Sequence, residues 1–283
     1  VGPELGDLRM QAVEHVWNNI GLLPHAGKRV SGVLDGTCVG IDLVEGLRFA
    51  PALSKLGRFL AASADFFEHP CASPREVASY SGTLQWFDLL NRPLLSCLHE
   101  LYEYNRSEQQ DVPRRVPSNV LQELMHNVAL IHLADADLCR TWAPEILATD
   151  ASPSFGFGAC IAACGEDAAR SIGRLNGNLD EHVRLTRCQQ DPLEKPRAGK
   201  CIRLGLRQSD FKQVLSKKAT TISHSGGMEA QALAMGMQLF ARNRCHHEKR
   251  VSILVDAKSV RAAAQKGRSS AGTLRYPIRR CAA

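Results

Sequence analysis

Apolar residues recur at helical spacing through much of the first hundred positions. Leu53, Leu56, Phe59 and Leu60 fall on one helical face, with Ser54 placed to cap the helix they predict. Ser73-Pro74-Arg75-Glu76 carries a capping-box pattern, with proline in the first turn, and opens a second helix through Tyr80, Leu84 and Phe87. One strand-like run interrupts the helices: Thr37-Cys38-Val39-Gly40-Ile41-Asp42-Leu43, preceded by Asp35-Gly36 and followed by Glu45-Gly46, turn chemistry that predicts a small hairpin. The region 1–103 is therefore predicted to be mainly helical.

Positions 104–117 turn polar and proline-bearing, which predicts a linker. Ser118-Asn119-Val120 then opens a helix through Leu121, Leu124, Val128, Ile131 and Leu133, expected to lead into the next domain and pack against it. From Trp142 the period shortens. Ile146-Leu147-Ala148-Thr149-Asp150 and Phe157-Gly158-Ala159-Cys160-Ile161-Ala162 predict an antiparallel strand pair, and Phe211 to Leu215 a third strand. Gly226-Gly227 leads into a helix from Met228 to about Arg242. Val251-Ser252-Ile253-Leu254-Val255-Asp256 is β-branched and reads as a strand, and Lys258 to Gln265 is helical, closed by Gly267. The expected class is α+β or α/β: a mainly helical N-terminal region, then a domain spanning 118–283 with the order strands, helix, strand, helix.

Composition narrows the picture modestly. A chain of 283 residues suggests two domains, and 44% hydrophobic residues suffice for a core in each. The 35 Lys+Arg against 29 Asp+Glu leave a net charge of +6, which permits a polyanionic partner without requiring one. Ten cysteines are dispersed without a secretory leader, which predicts reduced thiols and an intracellular protein. Cys160 with Cys164, and Cys245-His246-His247, lack a second ligand pair at zinc spacing. No apolar run reaches the ~20 residues of a membrane-spanning helix. Val1 at the start and a helical pattern running up to Ala283 suggest a piece of a longer polyprotein, whose remaining parts would be its partners.

Three acidic residues stand at element ends: Asp150 and Asp256 close strands, and Glu229 begins a helix. Singly, each has a structural explanation, since aspartate forms turns and glutamate answers a helix dipole. In this order they can converge at one end of a sheet. An all-oxygen cluster suits Mg²⁺, with Mn²⁺ as the alternative, better than zinc.

Thr149-Asp150-Ala151-Ser152-Pro153-Ser154-Phe155-Gly156-Phe157-Gly158-Ala159, Met228-Glu229-Ala230 and Leu254-Val255-Asp256-Ala257 resemble the successive motifs of retroelement ribonuclease H domains. The resemblance implies a nuclease cutting the RNA strand of RNA–DNA hybrids, with Asp150, Glu229 and Asp256 as catalytic metal ligands. Gly21 to Lys28, Cys38 to Leu43 and Arg75 to Trp86 resemble the palm end, primer-gripping hairpin, and thumb and connection helices of reverse transcriptases of tyrosine-recombinase retrotransposons. By that resemblance the polymerase aspartates would lie upstream of Val1 and the nuclease's fourth carboxylate beyond Ala283. The interval between Asp150 and Glu229 is longer than three strands need, and Arg187 to Lys200 reads as a polar insertion. The rival expectation is a non-catalytic nucleic-acid-binding remnant; a third is a nucleotide-binding relative, which lacks a second glycine-rich phosphate loop.

Lys258, Lys266, Arg268 and Arg275, with Arg279 and Arg280, form a basic stretch that would contact phosphates, and a solvated helix face accounts for it equally. Tyr80 and Trp86 would stack on bases or, as their helical spacing favours, pack in the core. His224, just ahead of the glutamate helix, would assist product release in a nuclease.

Overall fold

The computed structural model describes residues 3–22, 25, 27, 29–106, 109–175, 182–185, 201–220 and 224–282. It is a mixed α/β structure whose residues divide into two units, Val1–Asn91 with Glu100–Cys139, and Arg92–His99 with Arg140–Ala283.

In the first unit, helix α1 (Pro3–Asn19) precedes three short strands, β1 (Gly36–Cys38), β2 (Ile41–Val44) and β3 (Arg48–Pro51). The run expected as one strand is folded back on itself: Val39 and Gly40 take φ of 54° and 81° and bring Cys38 opposite Ile41. Glu45 and Gly46, also at positive φ, make the turn that the sequence announced, between β2 and β3. Helix α2 (Leu53–Glu68) begins two residues earlier than expected, so Ser54 lies inside its first turn and Ala52 stands at the cap without a side-chain bond. After β4 (Cys71–Ala72), helix α3 (Pro74–Asp88) carries the expected capping box: Ser73 Oγ accepts from Glu76 N–H and the Glu76 carboxylate accepts from Ser73 N–H at 2.8 Å.

The predicted linker is not one. Within it, α4 (His99–Asn105) finishes and β5 (Arg114–Arg115) pairs with β4. Helix α5 (Ser118–Ala129), expected in the second domain, belongs to the first unit because its apolar face is buried there through Val120 and Leu124. The Glu123 carboxylate also accepts from Leu101 N–H, and Asn127 donates to Asp88 at 2.9 Å. Strand β6 (Ala136–Asp137) completes a four-stranded sheet of order β1-β2-β3-β6. Tyr80 stacks on Phe59 with centroids 4.9 Å apart and meets Ser63 Oγ at 2.7 Å, so it packs internally; the Trp86 indole N–H donates to the Val39 carbonyl. Of the segment Gly21 to Lys28, residues 23, 24, 26 and 28 lie outside the described set.

In the second unit, β7 (Trp142–Ser152) and β8 (Gly156–Ala163) form the expected antiparallel pair. Helix α6 (Glu166–Arg174), which the sequence reading did not anticipate, and a small parallel pair, β9 (His182–Arg184) with β10 (Cys201–Arg203), follow. The expected insertion Arg187 to Lys200 lies outside the described residues. Then come β11 (Phe211–Lys218), α7 (Ser225–Ala241), β12 (Arg250–Leu254), α8 (Lys258–Lys266) and α9 (Gly272–Ala282). The sheet order is β11-β8-β7-β12, with β12 parallel to β7 and the other pairs antiparallel.

Alternation along the strands gives the sheet two apolar faces. Helix α7 covers one through Phe240 packed with Ala143, Leu147 and Ala159. Gly236 is what lets it come close, since a Cβ there would sit 2.6 Å from Thr149 Cγ2. Helix α6 covers the other, where the Ser252 hydroxyl donates to the Ala169 carbonyl at 2.8 Å. Helices α8 and α9 close the unit through Val260, Ala263, Leu274 and Ile278 against Ala230 and Leu233 of α7. The segment Arg92–His99 is seated on these two helices: Arg279 donates to the Ser96 carbonyl and Arg92 to the Gln265 carbonyl, both at 3.3 Å. No helix among the described residues is long and apolar enough to cross a membrane.

Candidate metal centre

Strand register builds the site. Leu254 of β12 pairs with Ala148 of β7, so two residues further on Asp256 emerges beside Asp150, because parallel neighbours advance together. Glu229 is the fifth residue of α7. It lies seven residues, about two helical turns, ahead of the close approach of Gly236 to Thr149, at the same end of the sheet. The three side chains thus converge: each offers a carboxylate oxygen, and these oxygens all lie within 4.8 Å of one another. Asp150 and Asp256 are exposed and Glu229 is half-buried.

The electrostatics follow from crowding. Burial, then the charges of Asp256 and Asp150, push the Glu229 carboxyl up to about 7, while a hydrogen bond from Ala151 N–H pulls the other way. The Ala151 amide also donates to Asp150 Oδ1 at 2.8 Å. Three carboxylates gathered at one point repel unless a proton or a cation sits among them.

The donor set fits a hard cation. All three ligands are oxygens, and in an Mg²⁺ octahedron with bonds of ~2.1 Å opposite oxygens stand about 4.2 Å apart, close to the observed spread. The trio could hold a metal ion, its open side leaving positions for water.

Of the predicted phosphate-binding residues, Lys258 opens α8 two residues after Asp256 and is exposed. Lys266 closes the same helix, about 12 Å further along its axis, and Arg268 follows the helix end. Arg275 is directed elsewhere: its guanidinium bonds His99 Nε2 and donates to the Ser270 carbonyl at 3.0 Å, tying down the segment Arg92–His99. Two cations were not anticipated. Lys217 and Lys218 lie on the edge strand β11, where Lys218 pairs with Gly156, itself opposite Ser152 at the trio's end of the sheet. Both line a cleft of about 460 Å³ together with Phe157, Gly227, Met228 and Tyr276. A strand extended past Leu215 would have reached them.

His224 stands just ahead of the glutamate helix, as its place in the sequence requires. It occupies the N-cap of α7, its Nδ1 accepting from Gly226 N–H at 3.2 Å. His246 turns both ring nitrogens inward, Nδ1 to the Phe240 carbonyl at 2.8 Å and Nε2 to Glu145 at 2.6 Å, and so serves the packing at the far end of β7. No family model matches the chain, and no curated protein matches it either.

Proposed function

We propose that the second unit is a ribonuclease H-like domain that hydrolyses the RNA strand of RNA–DNA hybrids, part of a retroelement reverse-transcriptase polyprotein. The observation that carries this reading is the convergence of Asp150, Glu229 and Asp256 at one end of a sheet of order β11-β8-β7-β12. The sequence motifs around these three residues support it.

Asp150, Glu229 and Asp256 would hold Mg²⁺ or Mn²⁺. When bound, such ions supply the charge that lowers the pKa of a water nucleophile and stabilises the leaving oxygen of a phosphodiester. The chain's own residues do the rest. The Ala151 amide fixes the Asp150 carboxylate, and Glu229 must give up a proton held to about 7 before all three oxygens can act together. Lys217 and Lys218 on one side and Lys258 on the other offer ammonium groups to a phosphate backbone, a contribution that weakens as salt rises. The first unit, by the resemblance of its hairpin and helices, would correspond to the palm end, thumb and connection.

The test is cleavage of a labelled RNA–DNA hybrid with Mg²⁺ or Mn²⁺, beside double-stranded RNA and DNA. Asp150→Asn is expected to lower hybrid cleavage by at least about a hundredfold while leaving hybrid binding intact. An unaltered chain that binds the hybrid in a salt-dependent way and never cuts it would establish a non-catalytic nucleic-acid-binding protein instead.

A further inference from the structure

The turn that carries Glu229 is built from residues that do not favour a helix. Helix α7 opens Ser225-Gly226-Gly227, and consecutive glycines leave a first turn with the most backbone freedom to lose. Among the described residues, His224 caps that turn, whose Gly227 and Met228 are buried. His224 receives three of its amides: Gly226 N–H on Nδ1 at 3.2 Å, and Gly227 and Met228 N–H on its carbonyl oxygen at 2.8 and 3.1 Å. An amide can only donate, so Nδ1 must present its lone pair, and the imidazole does the work usually given to a serine or aspartate cap. The next residue along is Glu229.

We propose that His224 is a positioning residue for the carboxylate trio, a latch that orders the two-glycine first turn of α7 and thereby holds Glu229 within reach of Asp150 and Asp256. The inference rests on the metal reading of the trio. Asp150 and Asp256 stand on or beside paired strands, whereas Glu229 follows a turn that glycine leaves loose. Gly226 provides an independent handle on the same turn. Its missing Cβ would stand 3.5 Å from His224 Nδ1 and 3.7 Å from Ser259 Oγ, ordinary contact distances, so a methyl group fits and would stiffen the turn without the latch.

The experiment is calorimetric titration of the full chain with Mn²⁺, run on the unaltered protein, His224→Ala, His224→Asn and the double variant His224→Ala with Gly226→Ala. Loss of an N-cap corresponds to about a fivefold change in an equilibrium it controls, so His224→Ala is expected to weaken Mn²⁺ binding by about fivefold. His224→Asn, which restores a capping acceptor, should recover most of that loss, and Gly226→Ala should recover part of it. Mn²⁺ binding that His224→Ala leaves within about twofold overturns the latch. A loss that neither Asn nor Gly226→Ala recovers overturns it too, since the imidazole would then act otherwise than as a cap. An unaltered chain that takes up no Mn²⁺ overturns the metal reading itself and the coupling with it.

Discussion

Asp88 in the first unit and Glu229 in the second both hold a proton to about pH 7, for different reasons. Asp88 is wholly buried at the end of α3; its Oδ2 accepts from the Asn127 amide, and its Oδ1 finds no partner among the described residues. Burial raises it and the one neutral donor lowers it only partly. Glu229 is half-buried, and the charges of Asp256 and Asp150 add to its burial. A raised carboxyl alone therefore does not mark a chemical site. Enclosure with a single neutral partner makes a structural acid, whereas like charges crowded at an open sheet end make a place that could hold a cation.

The largest expected effect is one of pH. Asp88 binds its proton more tightly folded than unfolded, so its stabilising contribution is complete below the ordinary carboxyl range, near pH 4, and is lost as pH rises through about 7. A shift of this size corresponds to a loss on the order of 4 kcal/mol. Calorimetric unfolding between pH 4 and 9 should show the decline, and Asp88→Asn should flatten it. A first unit equally stable at pH 4 and 8 would mean that the ionised acid has found a partner.

Metal sharpens the contrast. Glu229 has the same sign of pH dependence in the metal-free chain, but Mg²⁺ should displace its proton and stabilise the second unit by about 3 kcal/mol at roughly a hundred times Kd. Chelation should reverse this and Glu229→Gln should abolish it, with the Asp88 contribution unmoved throughout. Thermal scans with Mg²⁺ on both variants would read it, and Mg²⁺ stabilisation that survives Glu229→Gln would remove Glu229 from the trio.

The smallest expected effect is steric. Gly236→Ala puts a methyl group 2.6 Å from Thr149 Cγ2, so α7 must lift from β7. About 1 kcal/mol of stability should be lost, with weaker Mg²⁺ stabilisation because Glu229 recedes from Asp150. A Gly236→Ala chain with undiminished response to Mg²⁺ would show that the site tolerates the shift.

Much of this was legible along the chain because the signals are local. The capping box at Ser73 needs only residues three apart, the alternation through β7 and β8 needs only neighbours, and the propensities of 228–242 announce α7 by themselves. Asp150 lies two residues before the end of β7, Glu229 is the fifth residue of α7 and Asp256 lies two residues past β12, so each stands near the end of a patterned element and could be named from the sequence. Elements stabilised from outside were harder to read. Helix α6 has a short apolar face that matters only against Trp142 and Ser252, and the hairpin apex at Val39-Gly40 looked like the middle of a strand because both flanks are apolar.

The strongly patterned strands and helices, and the acids near their ends, were decided by sequence, since φ/ψ preference and apolar period act over a few residues. Tertiary structure alone decided what those ends meet. The parallel register of β12 on β7 brings Asp256 beside Asp150, and the approach of Gly236 to Thr149 sets Glu229 over them. It also gave α5 to the first unit and turned Arg275 toward His99 rather than outward. These outcomes depend on packing between segments a hundred residues apart, where complementary shape and the burial of particular side chains select one partner among many that local pattern allows equally.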